Sequence, residues 1–164
     1  MILKKPQFWD YKNINLISLL LLPFTIIMIL TNFIKERRRR RKFSIPIICV
    51  GNIYIGGTGK TPLSIELFNI LKRANKRPGL VKKFYKDHFD EIKLLKKYGD
   101  VFINKNRTNA IKSLIKKKKN VAILDDGLQE NKIKYDLSIV CFNQKQWIGN
   151  KQIIPAGPLR ESLN

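Results

Sequence analysis

An α/β fold, a mostly parallel sheet with flanking helices preceded by an N-terminal membrane helix, is what this sequence predicts. Three observations lead there. Short apolar runs alternate with helical patterns from residue 45 onward, a glycine-rich turn (Gly56 to Thr61) separates the first run from the first helix, and an uncharged apolar segment fills Ile14 to Ile34. Strands that alternate with helices pair in parallel and carry the helices on the sheet faces. The 164 residues suffice for one modest core once a membrane segment is set aside. We expect an anchor with a basic juxtamembrane segment over residues 1–42 and a globular domain over residues 43–164.

As a helix, Ile14 to Ile34 is about 30 Å long, close to the hydrocarbon thickness of a bilayer. Leu16, Ile17, Leu19 to Leu22, Phe24 and Ile26 to Leu30 cover every side of it, and Pro23 lies inside. A helix apolar all round is buried or membrane-embedded, whereas an interfacial helix has one polar face. The segment ends in Lys35-Glu36 and then Arg37 to Arg41 and Lys42, not in the small residues of a signal-peptide cleavage site. Such a cluster stays cytoplasmic and gains about 1 kcal/mol for each charge held near anionic headgroups. Lys4, Lys5 and Lys12 make the other flank basic too, so a spanning helix, a kinked insertion into one leaflet and a buried helix all remain open.

The remaining elements follow from periodicity. Ile45 to Val50 predicts a buried strand, and Thr61 to Asn75 a helix with Leu63, Leu67, Ile70 and Leu71 inward. Gly79 to Val81 predicts a second strand, and Asp87 to Tyr98 a helix with Phe89, Ile92 and Leu95 inward. Val101 to Ile103 is a short strand, Thr108 to Lys118 a helix facing inward through Ala110, Ile111, Leu114 and Ile115. Val121 to Leu124 and Leu137 to Phe142 complete the strands. Lys116 to Lys119 reads as a helix end in water.

The net charge of +21 favours an anionic partner: nucleic acid, an acidic lipid surface or phosphorylated ligands. A lysine-rich bias over a solvated surface accounts equally well for the scattered lysines, though not for the arginine run. Cys49 and Cys141 sit in apolar runs with no C-x-x-C and no paired histidines, which points to two reduced buried thiols and away from a metal or disulfide framework. His88, the lone histidine, reads as a surface residue.

The strongest local signal is Gly56-Gly57-Thr58-Gly59-Lys60-Thr61, after a strand and opening a helix. A phosphate loop belongs there: glycines let backbone N–H groups turn toward phosphate oxygens, and the helix terminus adds a favourable dipole. Lys60 would reach the terminal phosphates and Thr61 would ligate Mg²⁺. Pro62 suits a first helical turn. Tyr54 stands where the strict G-x-x-x-x-G-K-[ST] pattern has its first glycine, so the ATP-binding set runs Tyr54, Ile55, Gly56, Gly57, Thr58, Gly59, Lys60 and Thr61. The fold is thereby P-loop NTPase-like. Val121-Ala122-Ile123-Leu124-Asp125-Asp126 then places two carboxylates at the end of a buried strand, where such a fold holds its metal.

Pro46 to Pro62, Asp125-Asp126-Gly127-Leu128-Gln129 and Pro155-Ala156-Gly157-Pro158-Leu159-Arg160-Glu161 together resemble the tetraacyldisaccharide 4′-kinase family of lipid A synthesis. The resemblance covers essentially the whole chain but only about the first half of a typical member, so the kinase domain reads as truncated at its C-terminus. It implies that Asp90, in the pair Asp90-Glu91, is a catalytic base, with Lys60 as the other catalytic residue. It further implies Arg107 as a phosphate ligand, Arg160 and Glu161 at the active site with Glu161 assisting the metal, and Tyr85, Glu91 and Gln129 toward the substrate. Where the family usually has Ser-Arg-Gly-Tyr, this chain has Lys82-Lys83-Phe84-Tyr85. Asp126-Gly127-Leu128-Gln129-Glu130 replaces Asp-Gly-Phe-Gln-His.

The combined expectation is an ATP- and Mg²⁺-dependent kinase acting on the 4′-hydroxyl of a membrane-embedded acylated disaccharide. It would sit at the cytoplasmic face of a bacterial inner membrane, with that lipid and inner-membrane lipids as partners and no nucleic acid. A membrane-associated P-loop ATPase or GTPase switch is the main rival; it would release phosphate without a lipid acceptor. An inactive truncated kinase fragment is another. A nucleic-acid-binding protein would suit the charge, but no recognisable reading motif accompanies it.

Overall fold

The structure, a computed structural model, describes residues 6–36, 40–54, 58–85, 89–144 and 147–161. In chain order a 3-10 turn (Gln7–Asp10) precedes helix α1 (Leu16–Glu36), strand β1 (Ile47–Gly51), α2 (Lys60–Arg73) and β2 (Pro78–Lys83). Then come α3 (Phe89–Tyr98), β3 (Val101–Asn104), α4 (Arg107–Lys116), β4 (Val121–Asp125) and β5 (Leu137–Val140). The chain forms two compact units. One gathers Met1–Arg38, Asn52–Thr58 and Cys141–Asn164; the other Arg39–Gly51 and Gly59–Val140.

The second unit carries a five-stranded sheet in the order β3-β2-β4-β1-β5, every pairing parallel. The expected mostly parallel sheet with flanking helices is therefore present. β4 is buried from Val121 to Asp125, as a central strand covered on both faces must be, whereas the edge strand β5 is largely exposed. On one face Ile47, Val81, Ala122 and Leu124 pack with Ala110, Ile111 and Leu114 of α4 and with Ile133. Each fully buried aliphatic side chain there contributes about 1.5–3 kcal/mol. On the sheet α2 lies against β1, β2 and β4. The chain passes β4 on its way from β1 to β2, and passes β1 on its way from β4 to β5. The two connections thus leave in opposite directions, which puts a topological switch point at the carboxyl ends of β1 and β4.

Element boundaries lie within two residues of the periodicity reading, and two inward faces are corrected. α2 buries Ser64, Ile65 and Phe68, while Ile70 is 45% exposed. The reason is chemical. Thr61 and Ser64 both reach Asp125, which fixes the helix rotation and turns the Leu63–Leu67–Ile70 stripe partly outward. In α3, Ile92 and Leu95 are buried as expected, but Phe89 is exposed, its ring edge-on to Phe84.

In the first unit α1 spans 21 residues with Pro23 inside it, and the Asn15 side chain caps its start by accepting from the Ser18 amide. Leu16, Leu20, Phe24, Ile27 and Ile34 are all exposed, whereas Ser18 and Thr25 are buried. Asn150 Nδ2 donates to Ser18 Oγ and to the Ala156 carbonyl, both at 2.9 Å, and Asn32 Nδ2 donates to the Arg160 carbonyl at 2.8 Å. The Pro155–Glu161 motif closes this unit, with Leu159 buried against Tyr54 and Ile153, and Trp9 Nε1 donating to the Pro155 carbonyl at 3.0 Å.

Candidate nucleotide and metal site

Lys60 and Thr61 of the first chemical signal meet Asp125 and Asp126 of the second inside the second unit. Gly59 takes φ +76°, a left-handed conformation that glycine adopts without steric cost, and turns the chain into α2. No side chain caps that helix start among the described residues, so its first amides remain available to an anion. One residue on, Lys60 Nζ lies 3.6 Å from Asp126 Oδ1. Thr61 Oγ1 donates to Asp125 Oδ2 at 3.1 Å, and one turn later Ser64 Oγ donates to Asp125 Oδ1 at 3.2 Å. Ile55, Gly56 and Gly57 lie outside the described residues. Thr58 Oγ1 is buried and has no hydrogen-bond partner, a spare polar atom beside the helix entrance in sequence.

The carboxylates are held from behind. Asp125 closes β4 with no exposed surface. Asp126 follows in the left-handed region at φ +58°, and its carbonyl accepts from Arg107 Nη2 at 2.5 Å. Arg107 Nη1 is also 3.9 Å from Glu130. The Tyr135 hydroxyl lies 2.5 Å from the Gly127 carbonyl and 2.9 Å from that of Glu130, and a Cβ on Gly51 would run into Leu128 at 2.6 Å. The turn after β4 is thus pressed onto the sheet. Beneath it burial pushes the Cys49 thiol up to about 12, with Arg107 and Tyr135 pulling the other way, so Cys49 stays protonated.

A lysine that the phosphate-loop reasoning left out completes the group. Lys82, at the end of β2, is nearly wholly buried and bridges Asp125 Oδ2 at 2.5 Å and the Glu91 carboxylate. Burial lowers its pKa, but Asp125 and Glu91 outweigh that and the net shift is upward. Its signal in the sequence was a cation directly after the apolar run Gly79 to Val81. Ser64, inward and one turn after Thr61, was equally legible and equally missed.

Of the other expected residues, Asp90 is exposed in the first turn of α3 beside Glu91. Tyr85 is exposed under the Lys83 ammonium, 5.2 Å from its ring centre, and Gln129 is exposed in the turn after β4. Arg107 is buried, with Nη2 on the Asp126 carbonyl and Nη1 near Glu130, while its Nε makes no hydrogen bond among the described residues. Tyr54, Arg160 and Glu161 belong to the other unit. There Tyr54 is a core residue whose hydroxyl accepts from the Asn143 amide, which explains a tyrosine at the loop's first position. Arg160 is braced through its backbone, its amide donating to the Ile53 carbonyl at 2.7 Å. His88 falls outside the described residues.

The group suits a magnesium ion. Asp126 Oδ1 is buried without a hydrogen bond, and Thr61, whose hydroxyl donates to Asp125, keeps its lone pairs free. Among the described residues no three His, Cys, Asp or Glu side chains cluster as a metal cage. Magnesium does not need one, because it takes one or two carboxylates and fills its shell with phosphates and water.

A parallel sheet with a Gly-Lys-Thr helix entrance, and an aspartate pair at the neighbouring strand end, defines the class of P-loop nucleotide-binding proteins. Within it the chain belongs to the tetraacyldisaccharide-1-P 4′-kinase family, whose family model matches residues 17–164. It is 52% identical over 162 residues to the tetraacyldisaccharide 4′-kinase of Pelagibacter ubique strain HTCC1062, a match covering 99% of this chain and 52% of that protein. The kinase of the same name from Rickettsia africae strain ESF-5 is 34% identical, over 97% of this chain and 54% of its own length. The crystal structure of LpxK from Aquifex aeolicus in complex with ATP superposes with a TM-score of 0.73 at 28% identity, covering 90% of this chain and 55% of that one. The chain spans about half the length of the curated relatives it matches.

Proposed function

We propose that this chain is the nucleotide-binding half of a kinase that moves the γ-phosphate of ATP to the 4′-hydroxyl of a membrane-embedded acylated disaccharide, a lipid A precursor. The observation that carries this reading is the approach of Lys60 to Asp126, with Thr61 on Asp125, in a chain of this family. ATP is the nucleotide named for the Aquifex aeolicus relative. Lys60 and the amides at the start of α2 bind phosphate oxygens and stabilise charge on the transferring group. Thr61 and Asp126 hold the metal, with Asp125 orienting Thr61. A magnesium ion held by these residues would supply positive charge against the phosphates.

Asp90 is the proposed base for the sugar hydroxyl, and its exposure in the first turn of α3 leaves it open to an acceptor. Arg107 acts from behind, holding the Asp126 turn in place. Tyr85, Glu91 and Gln129 are proposed on the acceptor side, and Arg160 and Glu161 as contributions of the Pro-Ala-Gly-Pro-Leu motif.

Residues 1–42 serve as the anchor and 43–164 as the catalytic part, at the cytoplasmic face of a bacterial inner membrane. α1 is long and apolar enough to cross a bilayer, and only 11% of its most apolar window is buried, unlike a core helix. Its polar side chains Ser18 and Asn32, about 21 Å apart along the axis, both bind the Asn150–Arg160 segment. A spanning α1 would carry those loops through hydrocarbon, where their backbone groups have no water. We therefore read α1 as lying in one leaflet with its exposed aliphatic face toward lipid.

In the full chain, Lys60→Ala should lower transfer of radiolabelled phosphate from ATP to the lipid by at least about a thousandfold, the scale of losing a main transition-state charge contact. Unchanged lipid labelling sinks the mechanism. Release of inorganic phosphate with no labelled lipid would favour the switch, and neither product an inactive fragment.

A further inference from the structure

Lys82 and Asp125 are register partners on β2 and β4, so their side chains leave the same face of the sheet. Only 3% of the Lys82 side chain is exposed, and its ammonium touches two carboxylates, Asp125 and, from the first turn of α3, Glu91. Asp125 is held by three protein donors. Its Oδ2 takes Thr61 and Lys82, and its Oδ1 takes Ser64. Asp126 is the opposite: its buried Oδ1 makes no hydrogen bond, and Lys60 stands 3.6 Å away. Two adjacent aspartates thus differ sharply, and Lys82 makes the difference.

We propose that Lys82 is a positioning residue that acts as the built-in counter-cation of Asp125, keeping a divalent cation off that carboxylate and making metal entry depend on nucleotide phosphates. This rests on the reading of the site as a nucleotide site. A fixed ammonium on Asp125 already meets the electrostatic demand a metal would meet, and it repels a second cation arriving within a few ångströms. Direct ligation falls to Asp126 and Thr61. One carboxylate and one hydroxyl are too little to strip water from a strongly hydrated ion, and ATP supplies the missing charged oxygens. The same ammonium ties the first turn of α3 to the sheet, so the metal-side and acceptor-side carboxylates are held by one side chain.

Mn²⁺ is a suitable probe, because its spin-resonance signal separates free from bound ion. In the full chain without nucleotide or lipid, the wild type should bind Mn²⁺ weakly, and Lys82→Met should bind it at least about tenfold tighter through the released Asp125. Removing one partner of a buried pair can unfold a protein. Lys82→Gln, which keeps a donor toward Asp125 without the charge, is therefore the second variant and should tighten likewise. A lysine that merely packed would leave metal affinity unmoved or weaken it. Unchanged or weaker Mn²⁺ binding in a folded Met or Gln variant overturns the proposal, as does micromolar Mn²⁺ binding by the wild type without nucleotide. A fluorescent ATP analogue on the same samples distinguishes the two failures. If it binds no form of the chain, the nucleotide-site reading itself is lost.

Discussion

Single side chains at this site are chosen for where they place charge. Arg107 shows this: its guanidinium is buried and its Nη2 donates to the Asp126 carbonyl. It shapes the turn that presents Asp126, which no spacing rule reveals, because the turn forms only once β4 and α4 are packed. Cys49 lies under the same turn and supplies a test of its closure. Its folded value of about 12 exceeds the ordinary thiol value of 9.0, so the thiol contributes stability that is present below about pH 9 and is lost as pH rises, because the unfolded chain then ionises first. Denaturant titrations should show stability falling above about pH 9 by at most about 1.4 kcal/mol per pH unit from this group. Cys49→Ala should flatten that slope, and an unchanged slope would mean that the thiol is open to solvent.

At the scale of elements, helices read well where one face is purely apolar. α4 buries Ala110, Ile111 and Leu114 as its periodicity predicts. α2 read poorly because it has two competing stripes, and a hydrogen bond chose between them: Ser64 goes inward to satisfy Asp125, carrying Ile65 and Phe68 with it. Phe68 also fills the space over Gly99. Chemical denaturation separates the two faces. Phe68→Ala should cost about 3–5 kcal/mol by leaving a cavity, whereas Ile70→Ala, at an exposed site, should stay within about 0.5 kcal/mol. Equal losses at both positions would contradict the observed rotation of α2.

For the molecule as a whole, the question of placement falls on α1, which is long and apolar enough to cross a bilayer. Its exposed aliphatic face and its polar ties at Ser18 and Asn32 place both ends on one side of the bilayer in the reading proposed here. With cysteines at Lys12→Cys and Lys42→Cys, an impermeant maleimide should label both in inverted inner-membrane vesicles and neither in right-side-out ones. Labelling of the two sites from opposite sides would establish a spanning helix instead. The sequence alone determined the parallel α/β class, the Gly59-Lys60-Thr61 helix entrance, the aspartate pair and an apolar helix of membrane length, because these depend on local periodicity and on contiguous motifs. Only the tertiary structure decided the rotation of α2, the burial of Arg107, the Lys82 bridge and the polar ties of α1. Each of these joins residues distant in sequence, and a buried polar group takes whichever partner the packed chain brings within hydrogen-bonding distance.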